Sequence, residues 1–559
     1  MRISHFYSLG LCFFTLSWLL PNHYRPWVSF HLELLALVGL VFLLTGLLLN
    51  KSPSFFLSDR CIWLALTVAI PWLQFATGIN FFAGDALLSS LYLSGFLAAV
   101  FVGYHFVSSD GTQEEPEFLG LMHSLWVAAM ASAAIGIAQW FNVDELLGLY
   151  RVQSDLGDRA MGNLGQANQL ATLLLMGMSS FAYIFERKSI GQLGFLVGIF
   201  FLTLALILTQ SRAGMLSVVV LCGFLSWKKQ RCMLTISKLM IAAWVAFFLL
   251  GTLLLPVFSD ALLLTGVRNV TAIESVSQRW QMWQQIAYAV TQSPWLGYGW
   301  NQTPAASAVG ALVFQSSTPY DYAHNFVLDM LAWNGLPLGI LLTGAIAYWF
   351  ISRILATNKL EAIYAMACLL PIAVHSMFEY PFAYSYFLIS AGFMIGTVEA
   401  VHPTNVRIYI RKSWIWLFWM GWVSVGSYLT VEYFLIEEDF RVVRFENLRV
   451  GQTEANYKIP NVWMISHLAA MLKARRVSIE PNMQLADLEN LHQVSQRFAD
   501  NVLRFRYALA LALNNDPIGS KQQLDLIRGV FGDSYYRACI VELRRLHSEK
   551  YPELAVVLD

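Results

Sequence analysis

His324-Asn-Phe-Val-Leu-Asp-Met-Leu-Ala-Trp-Asn-Gly-Leu-Pro-Leu-Gly339 joins a polar loop, Tyr320-Asp-Tyr-Ala, to a long apolar segment. An apolar run of membrane-spanning length that follows a polar loop places His324 where a bilayer ends and water begins. An imidazole at such an edge reaches both a lipid-borne and a water-borne group. Working outward from it, the same alternation of apolar run and polar edge recurs along most of the chain.

The chain has 559 residues, 57% of them hydrophobic and 13% charged. Soluble domains carry roughly 25% charged residues, so the chain reads as a polytopic membrane protein. Its formal net charge is zero, which gives no hint of nucleic acid. Apolar runs are predicted to span near 3–20, 32–50, 61–78, 86–107, 119–140, 165–185, 190–209, 213–227, 237–257, 336–355, 361–378, 384–401 and 413–431. That makes about thirteen helices, at about 20 residues per crossing. The first run has no small-x-small cleavage site and reads as an uncleaved helix.

Charges orient these spans. Arg2, Lys51, Arg60, Arg187, Lys188, Lys228, Lys229, Arg231, Arg353, Lys359, Arg407, Arg411 and Lys412 fall on one side. Basic loops mark the cytoplasmic face. Arg25, Arg151, Arg159, Arg212, Arg268 and Arg279 lie on the other. An odd count then puts the C-terminal region outside. The expected fold is all-α, with a transmembrane domain over 1–431, a long outer loop over about 258–323, and an outer helical domain over 432–559.

In that last region Trp463, Leu468, Met471 and Leu472 recur at helical spacing, as do Phe498, Val502, Phe505, Leu509 and Leu513. Asn515-Asp-Pro-Ile-Gly marks a turn. The plain reading is a stabilising or acceptor-docking module. Cys12, Cys61, Cys222, Cys232 and Cys368 lie in or beside spans and Cys539 stands alone, with neither a disulfide framework nor a metal-ligand spacing. No metal or cofactor is expected.

Chemistry is expected on the outer face, where four features fall. Gly162-Asn-Leu-Gly-Gln-Ala-Asn-Gln-Leu-Ala171 gathers Asn163, Gln166, Asn168 and Gln169 where a helix enters the membrane. Such amides are glue between helices in the ordinary case; at this density they also suit sugar hydroxyls. Leu208-Thr-Gln-Ser-Arg-Ala-Gly214 leaves Arg212 almost no loop. An arginine at membrane depth costs about 3 kcal/mol and is paired or functional unless it snorkels to the interface.

Ser277-Gln-Arg-Trp-Gln-Met-Trp-Gln-Gln-Ile-Ala287 reads as an amphipathic helix, with Trp280, Trp283 and Ala287 as its interfacial stripe. Arg279 in it is an ordinary headgroup contact when taken alone. With Arg212 it makes two guanidinium groups on one membrane face, a tool suited to a diphosphate. Finally, His324-Asn325 is followed by His375-Ser-Met-Phe-Glu-Tyr-Pro-Phe-Ala-Tyr384, which supplies the Glu379 carboxylate and the Tyr380 phenol. A histidine at a helix start is ordinarily a cap or interface residue.

The order Gly162-Asn-x-x-Gln-x-Asn168, Thr209-Gln-Ser-Arg212, Gln278-Arg-x-x-x-Trp283, His324-Asn-x-x-Leu328 and Gly335-x-x-x-Gly339 resembles the O-antigen ligase and polymerase superfamily. Pro21-Asn-His-Tyr-Arg-Pro-Trp27, Glu379-Tyr-Pro381 and the outer helical domain look more narrowly like the PglL-type bacterial protein O-oligosaccharyltransferases. The resemblance implies a metal-independent, inverting glycosyltransferase of the bacterial inner membrane. Its donor would be an undecaprenyl-diphosphate-linked oligosaccharide, and its acceptor a serine or threonine of a periplasmic protein such as a pilin. It implies that Arg212 and Arg279 bind the donor diphosphate and that His324 assists the acceptor hydroxyl. Tyr380 would complete the site, which Asn163, Gln166, Asn168, Gln169 and Glu379 would line. An O-antigen ligase acting on lipid A-core and a polysaccharide polymerase are the alternatives within the superfamily. A transporter would show interrupted helices in two matching halves, and the sequence has no such halves.

Overall fold

A computed structural model describes residues 3–50, 55–58, 60–107, 115–153, 159–262, 274–316, 318–402, 407–454 and 456–558. Arg2, Lys51, Arg268 and residues 263–273 of the expected outer loop lie outside them, as do the side chains of Arg60, Cys61, Ser277 and Arg407. The chain is helical nearly throughout. Among the described residues six helices are long and apolar enough to cross a membrane: Phe30–Leu49, Ala83–His105, Pro116–Trp140, Ala167–Glu186, Lys238–Ala261 and Phe326–Ala356. Gln192–Leu208, Leu360–Ser376 and Ser385–Val401 are shorter apolar helices.

The chain divides into two compact units that interleave in sequence. The first takes Met1–Thr67, Tyr92–Val270 and Tyr348–Val423. Its centre is the Ala167–Glu186 helix, buried on every side from Ala167 to Phe185. A helix buried all round has no solvent face to present, so it becomes the post around which others pack, its few polar side chains bonded to neighbours. Pro116–Trp140, Gln192–Leu208, Arg212–Arg231 and Leu360–Ser376 surround it. The approach is close because the residues are small: a Cβ on Gly177 would stand 2.1 Å from that of Ala129. Small residues permit this backbone proximity between membrane helices. Two four-residue strands, Phe55–Ser58 and Arg407–Ile410, pair antiparallel with Phe55 opposite Ile410.

The second unit takes Val68–Leu91, Thr271–Ala347 and Ser424–Asp559. The Ser466–Arg476, Leu485–Arg497, Asn501–Leu513 and Pro517–Glu549 helices belong to it. Its polar keystone is a buried ion pair: Arg497 Nε and Nη2 each lie 2.8 Å from a different oxygen of Asp85. His467 Nε2 is 4.0 Å from the same carboxylate, and Ser466 Oγ accepts from Gly84 N at 3.0 Å. The helices of 432–559 therefore share a unit with residues far earlier in the chain.

Several expected elements differ in detail. The expected span at 61–78 is two helices, Arg60–Thr67 and Ile70–Ala76. Pro71 stands in the first turn of the second, where its missing N–H costs nothing. The expected span at 336–355 follows directly on a break at Gly335 (φ 72°, ψ 176°), and a further helical stretch from Phe326 precedes that break. The 294–299 segment docks at that break, with Tyr298 N donating to Ala332 O at 2.8 Å and Gly299 N to Trp333 O at 3.1 Å. A side chain at Gly335 would strike the Trp295 backbone at 2.5 Å.

The expected interfacial stripe of Trp280, Trp283 and Ala287 lies away from the buried face of its helix. Met282, Ile286, Ala289 and Val290 are buried, because that face packs on the Thr303–Ala311 helix; Trp280 and Ala287 are exposed. Trp463 is exposed too, while Leu468, Met471 and Leu472 are buried; it precedes the helix whose inner face they form.

Candidate functional site

In the first unit the sequence motifs converge on one knot of side-chain hydrogen bonds. The Gln192–Leu208 and Arg212–Arg231 helices are joined by Thr209, Gln210 and Ser211 alone. Gln210 turns the chain with φ 48°. Ser211 caps the second helix, its Oγ accepting from Gly214 N at 3.0 Å, which leaves Arg212 as the first helical residue, half-buried. A helix N-terminus carries partial positive charge, so the guanidinium and the helix end favour an anion together.

The Ser211 hydroxyl also donates to Asn168 Oδ1 at 2.7 Å. Asn168 Nδ2 in turn donates to Glu379 Oε1 at 3.1 Å. One turn along the central helix, Thr172 Oγ1 meets His375 Nδ1 at 2.9 Å. Gln169 Oε1 accepts from the Tyr386 hydroxyl at 2.9 Å. Tyr380, half-buried, opens the Pro381–Ala383 turn, and its ring stacks on Tyr384, which stacks on Tyr386. Arg212, Asn168, Gln169, Glu379 and Tyr380 thus belong to one neighbourhood.

Asn163 and Gln166 stand differently. Asn163 is buried, and both its amide hydrogens donate to backbone, to Leu19 O at 2.7 Å and Tyr150 O at 3.0 Å. Its Oδ1 accepts from Val152 N at 3.1 Å, and its own carbonyl meets His23 Nε2 at 2.8 Å. It knits two loops together. Gln166, half-buried, occupies the N-cap position of the central helix.

Sequence reading missed Glu33 and His375. Glu33 is buried in the first turn of the Phe30–Leu49 helix. It accepts from Ser29, Tyr92, the Trp27 indole at 3.2 Å and Ser385 N at 3.2 Å. It thereby ties the Pro21–Trp27 motif to the segment after Tyr380. A lone carboxylate in an otherwise apolar span was the available signal.

The second unit holds Arg279 and His324. Arg279 is half-buried on the Glu274–Gln292 helix, one turn before Trp283. The Trp283 indole donates to Ala323 O at 3.0 Å, at the residue preceding His324. Residues four apart share a helix face, so Arg279 and the His324 loop lie on the same side of that helix. His324 has φ 51°, a left-handed conformation unusual for a residue with a side chain. It is not the helix cap: Asn325 Oδ1 accepts from Leu328 N at 3.1 Å and takes that role.

These features belong to a polytopic helical membrane protein, with Arg212 and a cluster of amides in the first unit and Arg279 and His324 in the second. Comparison with known proteins narrows the class. Residues 197–343 match the O-antigen ligase family, residues 160–185 the protein glycosylation ligase family, and residues 363–545 the C-terminal part of the virulence factor membrane-bound polymerase family. The general O-oligosaccharyltransferase of Acinetobacter baylyi is 28% identical over 551 residues, covering 96% of this chain and 91% of that protein. The ComP-specific O-oligosaccharyltransferase of the same organism is 26% identical over 429 residues, covering 74% and 76%. The chain is thus similar to O-oligosaccharyltransferases along nearly its whole length, and in separate segments to the O-antigen ligase and protein glycosylation ligase families.

Proposed function

We propose that this chain transfers an oligosaccharide en bloc from an undecaprenyl-diphosphate carrier to serine or threonine hydroxyls of periplasmic or pilin proteins. The observation that carries the reading is likeness along 96% of the chain to a general O-oligosaccharyltransferase. In the reaction the acceptor oxygen bonds to the anomeric carbon as the bond to the diphosphate breaks, and the hydroxyl proton leaves. Arg212 and Arg279 would neutralise the leaving diphosphate, as preorganised cations do. His324 would take the proton, the role an imidazole serves as a general base. Tyr380 would complete the site. Asn163, Gln166, Asn168, Gln169 and Glu379 would frame the glycan and acceptor side.

The same reading sets the topology: an inner-membrane protein of about thirteen spans, a transmembrane domain over 1–431, and a helical region over 432–559 in the periplasm. A reporter fused after residue 559 is expected to be active as alkaline phosphatase and dark as green fluorescent protein. A fluorescent fusion would reverse the orientation.

Loss of the gene tests the acceptor class. Glycan should vanish from one or more outer proteins while lipopolysaccharide keeps its banding. Altered banding with unchanged glycoproteins would point to a lipid A-core ligase. Loss of polysaccharide chain length alone would point to a polymerase, a reading that the match over 363–545 favours.

A further inference from the structure

Ala323 is fully buried, and both halves of its backbone are held by side chains. Its N–H donates to Asp329 Oδ1 at 2.9 Å. Its carbonyl accepts from the Trp283 indole at 3.0 Å. The two partners come from different helices, Phe326–Ala356 and Glu274–Gln292. The Asp329 oxygen is itself held by Thr303 Oγ1 at 2.8 Å, and that hydroxyl accepts from the Trp333 indole at 2.8 Å.

Asp329 is fully buried, and among the described residues its second oxygen, Oδ2, has no hydrogen-bond partner. A carboxylate so placed is costly to bury, and an apolar residue of similar size would suit the helix better. It does not cap the helix, since Asn325 does. What it reaches is the peptide immediately before His324. A left-handed residue with a side chain persists only where its surroundings over-determine it. Here the clamp on Ala323 precedes His324 and the Asn325 cap follows it.

We infer that Asp329, with Trp283, is a positioning residue for His324: the Ala323 clamp sets the direction in which the imidazole leaves the backbone. This rests on the reading of His324 as the residue that assists the acceptor. A misplacement of about 1 Å at a reacting group costs on the order of 100-fold in rate.

The test is a double-mutant cycle on the full-length enzyme, with an undecaprenyl-diphosphate-linked oligosaccharide as donor and a pilin as acceptor. Asp329→Ala should lower kcat by about 100-fold with the donor KM unchanged. Asp329→Asn keeps an acceptor for the Ala323 N–H and should retain most activity. In a His324→Ala background, Asp329→Ala should cost nothing more. If Asp329→Ala fails to fold, Trp283→Phe, which keeps an aromatic ring but removes the indole N–H with the rest of the pyrrole ring, takes its place and should lower kcat by about 10-fold, the scale of one lost hydrogen bond. Effects that multiply with a crippled His324→Ala, or an Asp329→Asn as poor as Asp329→Ala, would overturn the positioning role alone. A fully active His324→Ala would overturn it together with the reading of His324 on which it rests.

Discussion

The knot around Asn168 and the clamp around Ala323 hold candidate functional groups by opposite means. In the first unit one side chain binds another: Ser211 to Asn168, Asn168 to Glu379, Thr172 to His375. In the second, Asp329 and Trp283 bind the backbone beside His324. The difference follows from where the groups sit. Asn168, Thr172 and His375 lie within helices, where backbone bonds run along the helix, so side chains are what cross-links one helix to the next. His324 stands in a loop, whose peptides need partners of their own. The first arrangement depends on residue identity on both sides of each bond; the second depends on it on one side only.

The largest expected effect asks whether both regions serve one step. Arg212→Ala and Arg279→Ala should each reduce transfer by about 100-fold or more, the scale on which a lost charge-stabilising donor acts. Lysine should rescue poorly, because it lacks the bidentate fork. Transfer assays on equal amounts of membrane protein decide this, and normal activity of both lysine variants would remove the diphosphate clamp.

Next comes the imidazole. His324→Gln keeps hydrogen bonding but cannot take a proton, so transfer should fall by about 100-fold while donor binding survives. Near-normal turnover would leave the second region a hydrogen-bonding role only.

A smaller effect sharpens the contrast between knot and clamp. Ser211 both donates to Asn168 and accepts from Gly214, so Ser211→Ala should lower transfer by about 10-fold, as one unsatisfied buried partner does. Ser211→Thr should restore it. An active alanine variant would mean that the knot holds the fold without orienting Arg212.

The smallest effect is on stability. Burial holds His467 below the ordinary imidazole range, with Asp85 opposing and Arg497 adding to the shift. Between that lowered value and about 6.5 the unfolded chain binds more protons, so stability falls as pH drops through this window. The melting temperature should therefore decline from pH 7.5 to pH 5.5, and His467→Gln should flatten the decline. An equal decline in that variant would exclude His467 as the cause.

The sequence by itself determined the membrane class, the tight turn at Thr209–Ser211 and the neighbourhood of Arg212, Glu379 and Tyr380 within an ordered set of motifs. These follow from apolar run length and from turn and cap chemistry, which act over a few residues. Only the tertiary structure decided that Asn163 knits loops and that Glu33 meets Tyr92 and Ser385. It alone paired Asn168 with Glu379, 211 positions apart, and placed residues 432–559 in a unit with Val68–Leu91. The physical reason is reach. A side-chain hydrogen bond spans about 3 Å, and which groups come that close depends on how whole helices pack, a quantity that no local pattern of residues carries.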